Sequence, residues 1–416
     1  MAILAKNLRA GTATAIQISA ISFAGHTTEI DNQQVLNGQL FLADLNVTVG
    51  HVYDAAGQVI ALGNTLSVHV ETGNLNVINS QTLDTSGHAQ SIINVDSASG
   101  WVTSNATLIG NSATITTCCG DITSQSTQTV EAGNTLSAIS NINVYDEASY
   151  ISTAALSVGN AIGTQTWYGS SLDTVIDQTN KAKITSAAYI DGGGALYGSA
   201  SVVSSAIANT ASAGGEQTTT YAEIEQRSFG PSVEATGSIT SPYVEHALVA
   251  VTATGNNAVV ENSYGFLRSD VWQENTAYVS ARADVHVGTW NGYNTASSYA
   301  VGNSNLTSNV GSDVLLLNEQ INSGYGVEAI TNFTGGHAGG VGDYEATQIA
   351  SSAAFGNAVS GFLCSTCGGA LTATNNQQNY ASVSASTNIQ TGSGSSVIGT
   401  ATAIGNSATF HVSSGD

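Results

Sequence analysis

The chain has 416 residues, of which only 9% are charged, and its formal net charge at pH 7 is −22. Seven lysines and arginines cannot form the basic surface that binds phosphates, so the composition excludes a nucleic-acid partner and disfavours an anionic membrane surface. Scarce charge and frequent Gly, Ser, Thr, Asn and Val also disfavour long helices and a disordered chain.

Residues 1–28 precede the regular part of the sequence. Lys6 and Arg9 lie ahead of a mildly apolar run, Ala10 to Ala24, which several Thr and Ser residues interrupt. The segment is either an N-terminal leader related to an export signal or a cap on the fold that follows, and the sequence leaves both open. No apolar stretch in the chain reaches the roughly 18 residues that a membrane-spanning helix needs.

Residues 29–416 carry a repeat of about 47 residues. Gly-Asn recurs at Gly63, Gly110, Gly159, Gly255, Gly302, Gly356 and Gly405, with Ala208-Asn209 in the remaining position. A glutamine recurs in constant phase with it, at Gln34, Gln81, Gln128, Gln178, Gln226, Gln273 and Gln320, and Gln378 follows after a longer step. Two markers in constant phase indicate stacked structural units that form one elongated body.

Each repeat contains two segments in which polar and apolar residues alternate, as in 65–70 and 91–95. A period of two predicts half-buried strands, and two segments of about 23 residues fit two coils of a parallel β-helix. We therefore predict an all-β parallel β-solenoid (β-helix) of about eight repeats with two coils per repeat. Gly-Asn is expected at coil corners, where both residues tolerate positive φ. The glutamines either form an amide ladder between coils or lie on solvated turns.

Four cysteines occur as two local pairs, Cys118 with Cys119 and Cys364 with Cys367. The pairs lie about five repeats apart, too far for one disulfide or one metal ion to join them. A local bridge within each pair is therefore the favoured interpretation, in an oxidising compartment. The eight histidines show no metal-ligand spacing, and the sequence predicts no metal, cofactor or catalytic residues.

Two aromatic pairs are candidates for glycan binding. Trp167 with Tyr168, and Trp290 with Tyr293, lie beside small polar residues, where a sugar ring can stack on an aromatic face. The alternative is that these rings close coil corners or cap the core. The step from Gly302 to Gly356, at 54 residues, is longer than the others and predicts a loop insertion near 333–347.

The chain resembles the holdfast anchor proteins of the HfaD type in stalked alphaproteobacteria. The resemblance lies in segments 253–257, 302–304, 320–322, 327–329, 356–361 with Cys364 and Cys367, and 405–410. It implies a non-enzymatic, exported protein of the cell surface that anchors an adhesive polysaccharide, the holdfast, to the outer membrane. Implied partners are that polysaccharide and two companion anchor proteins, a fibre subunit and an outer-membrane secretion component.

Three further expectations come from the residues themselves. The ends of a solenoid are unpaired strand edges, which favours self-association. A passenger-like adhesin or a surface-layer protein is the first alternative function. A carbohydrate-active β-helix enzyme is the second, with Asp146 and Glu147 as an example of an acid/base pair, and a carboxylate pair in a groove near Arg268 or Arg282 would favour it.

Overall fold

The computed structural model describes residues 2–8, 14–20, 27–38, 40–338, 346–364 and 369–413. Two parallel sheets run the length of the molecule. The strands of the first sheet, in spatial order, are β1 (Ala2–Leu8), β3 (Thr27–Asn37), β6 (Asn74–Asp84), β8 (Ile122–Val130), β10 (Ser171–Asn180), β13 (Thr219–Ser228), β15 (Leu267–Asn275), β18 (Val314–Asn322) and β21 (Leu371–Asn379).

The second sheet contains the longer and more strongly bent strands. They are β2 (Thr14–Ala20), β4 (Phe41–Val52), β5 (Ala55–Val70), β7 (Gly87–Thr117), β9 (Thr135–Trp167), β11 (Lys183–Gly192), β12 (Ala195–Glu216), β14 (Ser232–Ser263), β16 (Tyr278–Trp290), β17 (Tyr293–Val310), β19 (Val327–Ala338), β20 (Thr347–Cys364), β22 (Val383–Thr391) and β23 (Ser396–Ser413). The predicted all-β architecture with long parallel sheets is confirmed.

The pairing register gives the size of one coil. Gln34 pairs with Gln81 in the first sheet, and Asn64 pairs with Asn111 in the second, so neighbouring strands are one whole repeat apart. One coil therefore contains one repeat of about 47 residues, and the prediction of two coils per repeat is wrong. The two halves of a repeat lie side by side within one coil instead of stacking on each other.

Each half-repeat encloses its own apolar core. In the coil formed by β8 and β9, Leu136, Ile142 and Ile151 belong to the first core, whereas Ile122 and Ile162 belong to the second. Both cores continue from coil to coil, because equivalent inward positions carry apolar side chains in most repeats. One such position holds Ile93, Ile142, Ile190, Ile239, Val285 and Phe333. Each fully buried Ile or Leu contributes about 1.5–3 kcal/mol to stability.

The Gly-Asn dipeptides bend the chain between the two cores, but not through positive φ, because none of these residues has a positive φ. In β5, Gly63 and Asn64 both face inward, which interrupts the alternation and marks the bend. A Cβ on Gly63 would lie 2.2 Å from the carbonyl oxygen of Gly110 in the next coil. Close contact between coils, rather than a left-handed backbone, is the reason for glycine here.

The extra residues of the seventh repeat are located by the register. Trp290 pairs with Ala338, 48 residues on, whereas Tyr293 pairs with Thr347, 54 residues on. The extra residues therefore fall between Ala338 and Thr347, of which 339–345 lie outside the described part of the chain, and the loop insertion near 333–347 stays a prediction.

At the N-terminus, β1 pairs with β3 and β2 pairs with β5, both in parallel. These strands add part of a coil ahead of the first complete one. A cap on the fold therefore stays a prediction for residues 1–28, as does a leader, and 9–13 and 21–26 lie outside the described residues. Nowhere in the described ranges is there a helix that could cross a membrane.

Candidate ligand-binding surface

Two buried amide ladders hold successive coils in register at the boundary between the two cores. Gln226 Nε2 donates to Gln178 Oε1 of the preceding coil at 2.8 Å and to the Asn257 carbonyl oxygen at 2.9 Å. The same pair of bonds recurs from Gln81 to Gln377, so the amide ladder is confirmed and the solvated-turn alternative is wrong. The last member is Gln377, because Gln377 and not Gln378 pairs with Gln320.

The asparagines of the Gly-Asn dipeptides form the second ladder. Asn209 Nδ2 donates to Asn256 Oδ1 at 2.8 Å, and this bond recurs in every coil from Asn64 to Asn406. Because buried amides are costly when unpaired, both ladders fix the register of the coils. Side chains at one position of each coil therefore form rows along the molecule.

A band of aromatic residues lies where the chain turns around the first core, at several register positions of that turn. We call this band the aromatic edge. Its residues are Tyr53, Trp101, Tyr145, Tyr150, Tyr197, Tyr243 and Tyr293, and all except Tyr243 are exposed. Successive coils along the band are about 4.8 Å apart, the spacing of paired strands.

Contacts between coils order the aromatic edge. The rings of Trp101 and Tyr150 stack with centroids 4.8 Å apart, and those of Tyr197 and Tyr243 are 5.6 Å apart. Carboxylates accept backbone N–H bonds at the same turns, Asp54 from Trp101 at 2.6 Å and Glu245 from Gly198 at 2.7 Å. The turns are thereby tied to their neighbours.

The environment of Tyr243 favours its neutral form. Burial and then the Glu245 carboxylate raise the pKa of Tyr243, while a hydrogen bond from Asn291 lowers it. The net effect is an increase, so the phenol keeps its proton well above neutral pH and remains a hydrogen-bond donor.

Two adjoining hollows at this edge, of about 350 and 440 Å³, share His51, Ser97, Glu147 and Tyr197. We call the combined feature the tyrosine groove. It is lined by His51, Val52, Tyr53, Ser97, Ala98, Ser99, Tyr145, Asp146, Glu147, Ala148, Ser149, Gly193, Gly194, Ala195 and Tyr197. Small residues of the second coil lie between Tyr53 of the first coil and the larger side chains of the third and fourth.

The tyrosine groove is acidic. Asp146 and Glu147 are exposed in it, and no lysine or arginine whose side chain the structure describes lines it. The lysines and arginines whose side chains the structure describes all pair with carboxylates elsewhere: Lys181 with Glu131, Lys183 with Glu234, Arg227 with Asp177, Arg268 with Asp270 and Arg282 with Asp284. The groove carboxylates therefore have no cationic partner among these side chains.

The predicted glycan-binding residues of the sixth coil divide between core and surface. Trp290 is 0% exposed and packs edge-on against Phe333 at a centroid distance of 6.5 Å, so the core alternative holds for its ring. Tyr293 is exposed on the aromatic edge, and its backbone N–H donates to His246 Nδ1 at 3.1 Å.

Trp167 and Tyr168 lie at the opposite end of the coil, where the chain turns around the second core. Tyr168 is exposed and has a left-handed backbone with φ of 63°. Trp167 lines a groove of about 580 Å³ together with Glu216, Glu261 and Asn262. Trp167 is thus placed beside two carboxylates at the surface.

The cysteines lie at the same end of the coils as Trp167. Cys118 and Cys119 carry separate thiols in the structure. A hydrogen bond with Cys118 is the largest of the effects that raise the pKa of Cys119. Cys364 lies at the matching turn near the other end of the molecule, and Cys367 falls outside the described residues, so the local bridges stay predictions.

The outward face of the first sheet carries further carboxylates, which we call the acidic face. They project from β10, β13, β15 and β18: Asp173, Asp177, Glu223, Glu225, Asp270, Glu274 and Glu319. Glu223 and Asp270 are directly paired neighbours beside Arg268, but they line none of the grooves described above. Asp284 is the one carboxylate in the hollow that contains Arg282.

Sequence reasoning identified Tyr293 but missed the other members of the aromatic edge. A signal existed: in six successive repeats an aromatic residue follows the marker glutamine by 17–22 residues, from Gln34 and Tyr53 to Gln273 and Tyr293. Variable spacing hid it, because the pairing register shifts at this edge between Val95 and Ser97, and between Leu196 and Ser199. Within the described residues no group of His, Cys, Asp and Glu is placed to hold a metal ion.

Comparison with known protein families matches residues 49–326 to holdfast attachment protein D, HfaD. The matched segment contains every residue of the aromatic edge and the whole tyrosine groove. No curated protein matches the chain. No solved structure matches it either. Since the family match covers well over half of the 416 residues, the chain belongs to the holdfast attachment protein D family.

Proposed function

We propose that the protein is an exported, non-enzymatic component of the cell surface that anchors an adhesive polysaccharide, the holdfast, to the outer membrane. The observation that carries this proposal is the family match over residues 49–326, which covers most of the solenoid. The regular stacking of the coils supports it, because a repeating surface offers the same contacts many times along one polymer.

The negative charge of the chain supports direct contact between the protein and the polysaccharide. The chain has a net charge of −22, and its acidic face repeats carboxylates from coil to coil. A polysaccharide of partly deacetylated amino sugars is cationic, so many weak contacts along the solenoid would add to a strong attachment. Such binding weakens as salt screens the charges.

The surface aromatic residues are the proposed sugar contacts outside the tyrosine groove. Trp167 lines its own groove beside Glu216 and Glu261, Tyr168 is exposed next to it, and Tyr293 is exposed on the aromatic edge. An aromatic face beside a hydrogen-bonding carboxylate can stack on one face of a sugar ring while the carboxylate binds its hydroxyl groups.

Deletion of the gene in a holdfast-producing bacterium tests the proposal. We expect cells that still make the polysaccharide but release it into the medium, as counted by a fluorescent lectin on cells and on the shed material. Restoring the full chain should return the label to the cells. Deletion cells that keep the polysaccharide as firmly as the parent would contradict the proposal.

Companion anchor proteins and self-association belong to the same proposal. Among the described strands β23 pairs with β20 alone, and its inward-facing Val397, Phe410 and Val412 are exposed. This edge offers unpaired strands to a second solenoid, a fibre subunit or an outer-membrane secretion component. Phe410→Lys should lower the mass of any assembly measured by light scattering, and an unchanged mass would contradict a role for this edge.

One observation favours the alternative of a carbohydrate-active enzyme. Asp146 and Glu147, the example of an acid/base pair from the sequence, both lie in the tyrosine groove. An enzyme would release new reducing ends from chitosan or chitin, and Asp146→Asn with Glu147→Gln would abolish that release. We expect no release from the wild-type chain.

A further inference from the structure

We infer that the tyrosine groove binds amine-bearing hexosamine units, sugars whose free amino group is protonated. The inference rests on the proposed function and names the part of the polysaccharide, and the part of the protein, that meet. Neither the family match nor the amide ladders point to this groove. Three features of the groove do: its exposed rings, its carboxylates and its direction along the solenoid.

The exposed rings indicate a ligand with apolar faces. Tyr53 is 72% exposed, Tyr145 is 60% exposed and Tyr197 is 50% exposed, on the first, third and fourth coils. Large rings that cluster at the surface of one groove are typical of a site that binds a ligand or partner. Tyrosine combines an apolar face with a hydroxyl group, which suits a sugar with its C–H face and its ring of hydroxyls.

The carboxylates of the groove favour a sugar that carries a positive charge. Asp146 and Glu147 line the groove, and the cations that the structure describes pair with carboxylates at other sites. An ammonium group on the sugar would pair with these carboxylates and could also lie over a tyrosine face. An N-acetylated sugar would leave the carboxylates unpaired, and a uronic acid would be repelled.

The direction of the groove fits a polymer rather than a single sugar. Its lining residues come from four successive coils, from His51 to Tyr197, which spans about 14 Å at the spacing of paired strands. The spacing between successive coils, about 4.8 Å, is close to the length of one sugar residue in an extended β-1,4-linked chain. A polymer lying along the solenoid axis would therefore place successive sugars beside successive coils.

The test measures binding of a glucosamine hexamer and of its fully N-acetylated counterpart to the full chain by titration calorimetry. We expect the wild-type protein to bind the glucosamine hexamer more tightly. Asp146→Asn with Glu147→Gln should weaken glucosamine binding about tenfold, the effect of one lost charge-assisted hydrogen bond, and should abolish the preference. Tyr53→Ala with Tyr197→Ala should weaken both oligomers, because stacking does not depend on the amine.

Matched controls separate the groove from the general charge of the protein. Glu29→Gln with Asp31→Asn removes the same charge from exposed positions of β3, and Tyr325→Ala removes an exposed ring at another turn. Both should leave binding of the hexamers unchanged. The inference is overturned if the controls weaken binding as much as the groove variants do, if both hexamers bind equally well, or if neither binds.

Different results would contradict hexosamine binding by the tyrosine groove and anchoring of the polysaccharide by the protein. If the groove variants bind no hexamer but still hold the polysaccharide on cells as firmly as the wild type, the groove inference is wrong and anchoring stands. If the gene deletion itself leaves the polysaccharide on the cells, the anchoring proposal is wrong, whatever the hexamers show.

Discussion

Buried amides decide the register of this protein. Gln128, Gln178 and Gln226 are fully buried, and each donates once along the ladder and once to a backbone carbonyl. A polar side chain is tolerated in the core because its partners recur in every coil. Slippage by one residue would leave the amides of a whole coil unpaired, so these residues specify one alignment.

We predict that Gln226→Leu destabilises the protein by roughly 2–5 kcal/mol, because Gln178 Oε1, Gln273 Nε2 and the Asn257 carbonyl each lose a partner. Thermal unfolding followed by circular dichroism measures the change. Gln125→Leu, at an exposed position of β8, is the matched control and should shift the midpoint little. Equal shifts for the two variants would contradict the structural role of the ladder.

The glycine of each Gly-Asn dipeptide is explained by the neighbouring coil. A Cβ on Gly302 would lie 2.6 Å from the Gly356 carbonyl oxygen and 3.0 Å from Asn322 Oδ1. Ala208 occupies the same position in the fourth coil and is buried, so a methyl group can be accommodated by a small shift.

We therefore expect Gly302→Ala to cost about 1 kcal/mol and Gly302→Val about 3 kcal/mol, since the larger side chain must displace backbone. Urea unfolding of the two variants and the wild type gives the order. A valine variant as stable as the alanine variant would show that the coils are not in close contact at this position.

The structural unit of the solenoid is one coil, in which two half-repeats lie side by side. The alternation in segments such as 65–70 and 91–95 correctly predicted strands, but alternation does not say whether two segments stack or face each other. The spacing of the two sequence markers distinguishes these arrangements. Gln and Gly-Asn each recur once per 47 residues, as a ladder with one member per coil requires, and not once per half-repeat.

Deleting residues 209–255, one 47-residue period, should therefore leave a folded, shorter solenoid, because Ala208 then joins Asn256 and both ladders close over the gap. Deleting residues 233–255, about half a period, should prevent folding, because one coil loses its first core. Circular dichroism and gel filtration distinguish the two deletions. If the variant that lacks residues 233–255 still folds, the arrangement of one coil per repeat is contradicted and two coils per repeat are favoured.

At the scale of the whole molecule, the stacked coils turn single side chains into surfaces. The sequence indicated Trp167, Tyr168, Trp290 and Tyr293 as candidate sugar contacts, but it could not tell that Trp290 points into the core. The reason is that the alternation of β16 breaks at Gly288 and Thr289, neither of which is buried, so Trp290 faces inward out of phase with the rest of the strand. The tyrosine groove lies at turns where the pairing register shifts, so alternation alone could not reveal it.

The charge of this molecule is predominantly negative, with a net charge of −22. The described lysines and arginines pair with carboxylates, including Asp177, Glu225 and Asp270 of the acidic face. The other carboxylates of that face and those of the tyrosine groove are in excess over these cations. A long acidic surface attracts a cationic polymer over its whole length, while the groove adds recognition of individual sugars. Attachment of the polysaccharide thus combines many weak contacts with a few specific ones.

Capture of the purified chain on chitosan and chitin beads, at low and at high salt, tests whether the protein binds the polysaccharide through its carboxylates. We predict capture by chitosan at low salt that declines steeply as salt is raised, with little capture by chitin, because the attraction is between carboxylates and protonated amines. Capture by neither polymer, or capture by chitosan that salt leaves unchanged, would contradict direct electrostatic anchoring of the polysaccharide.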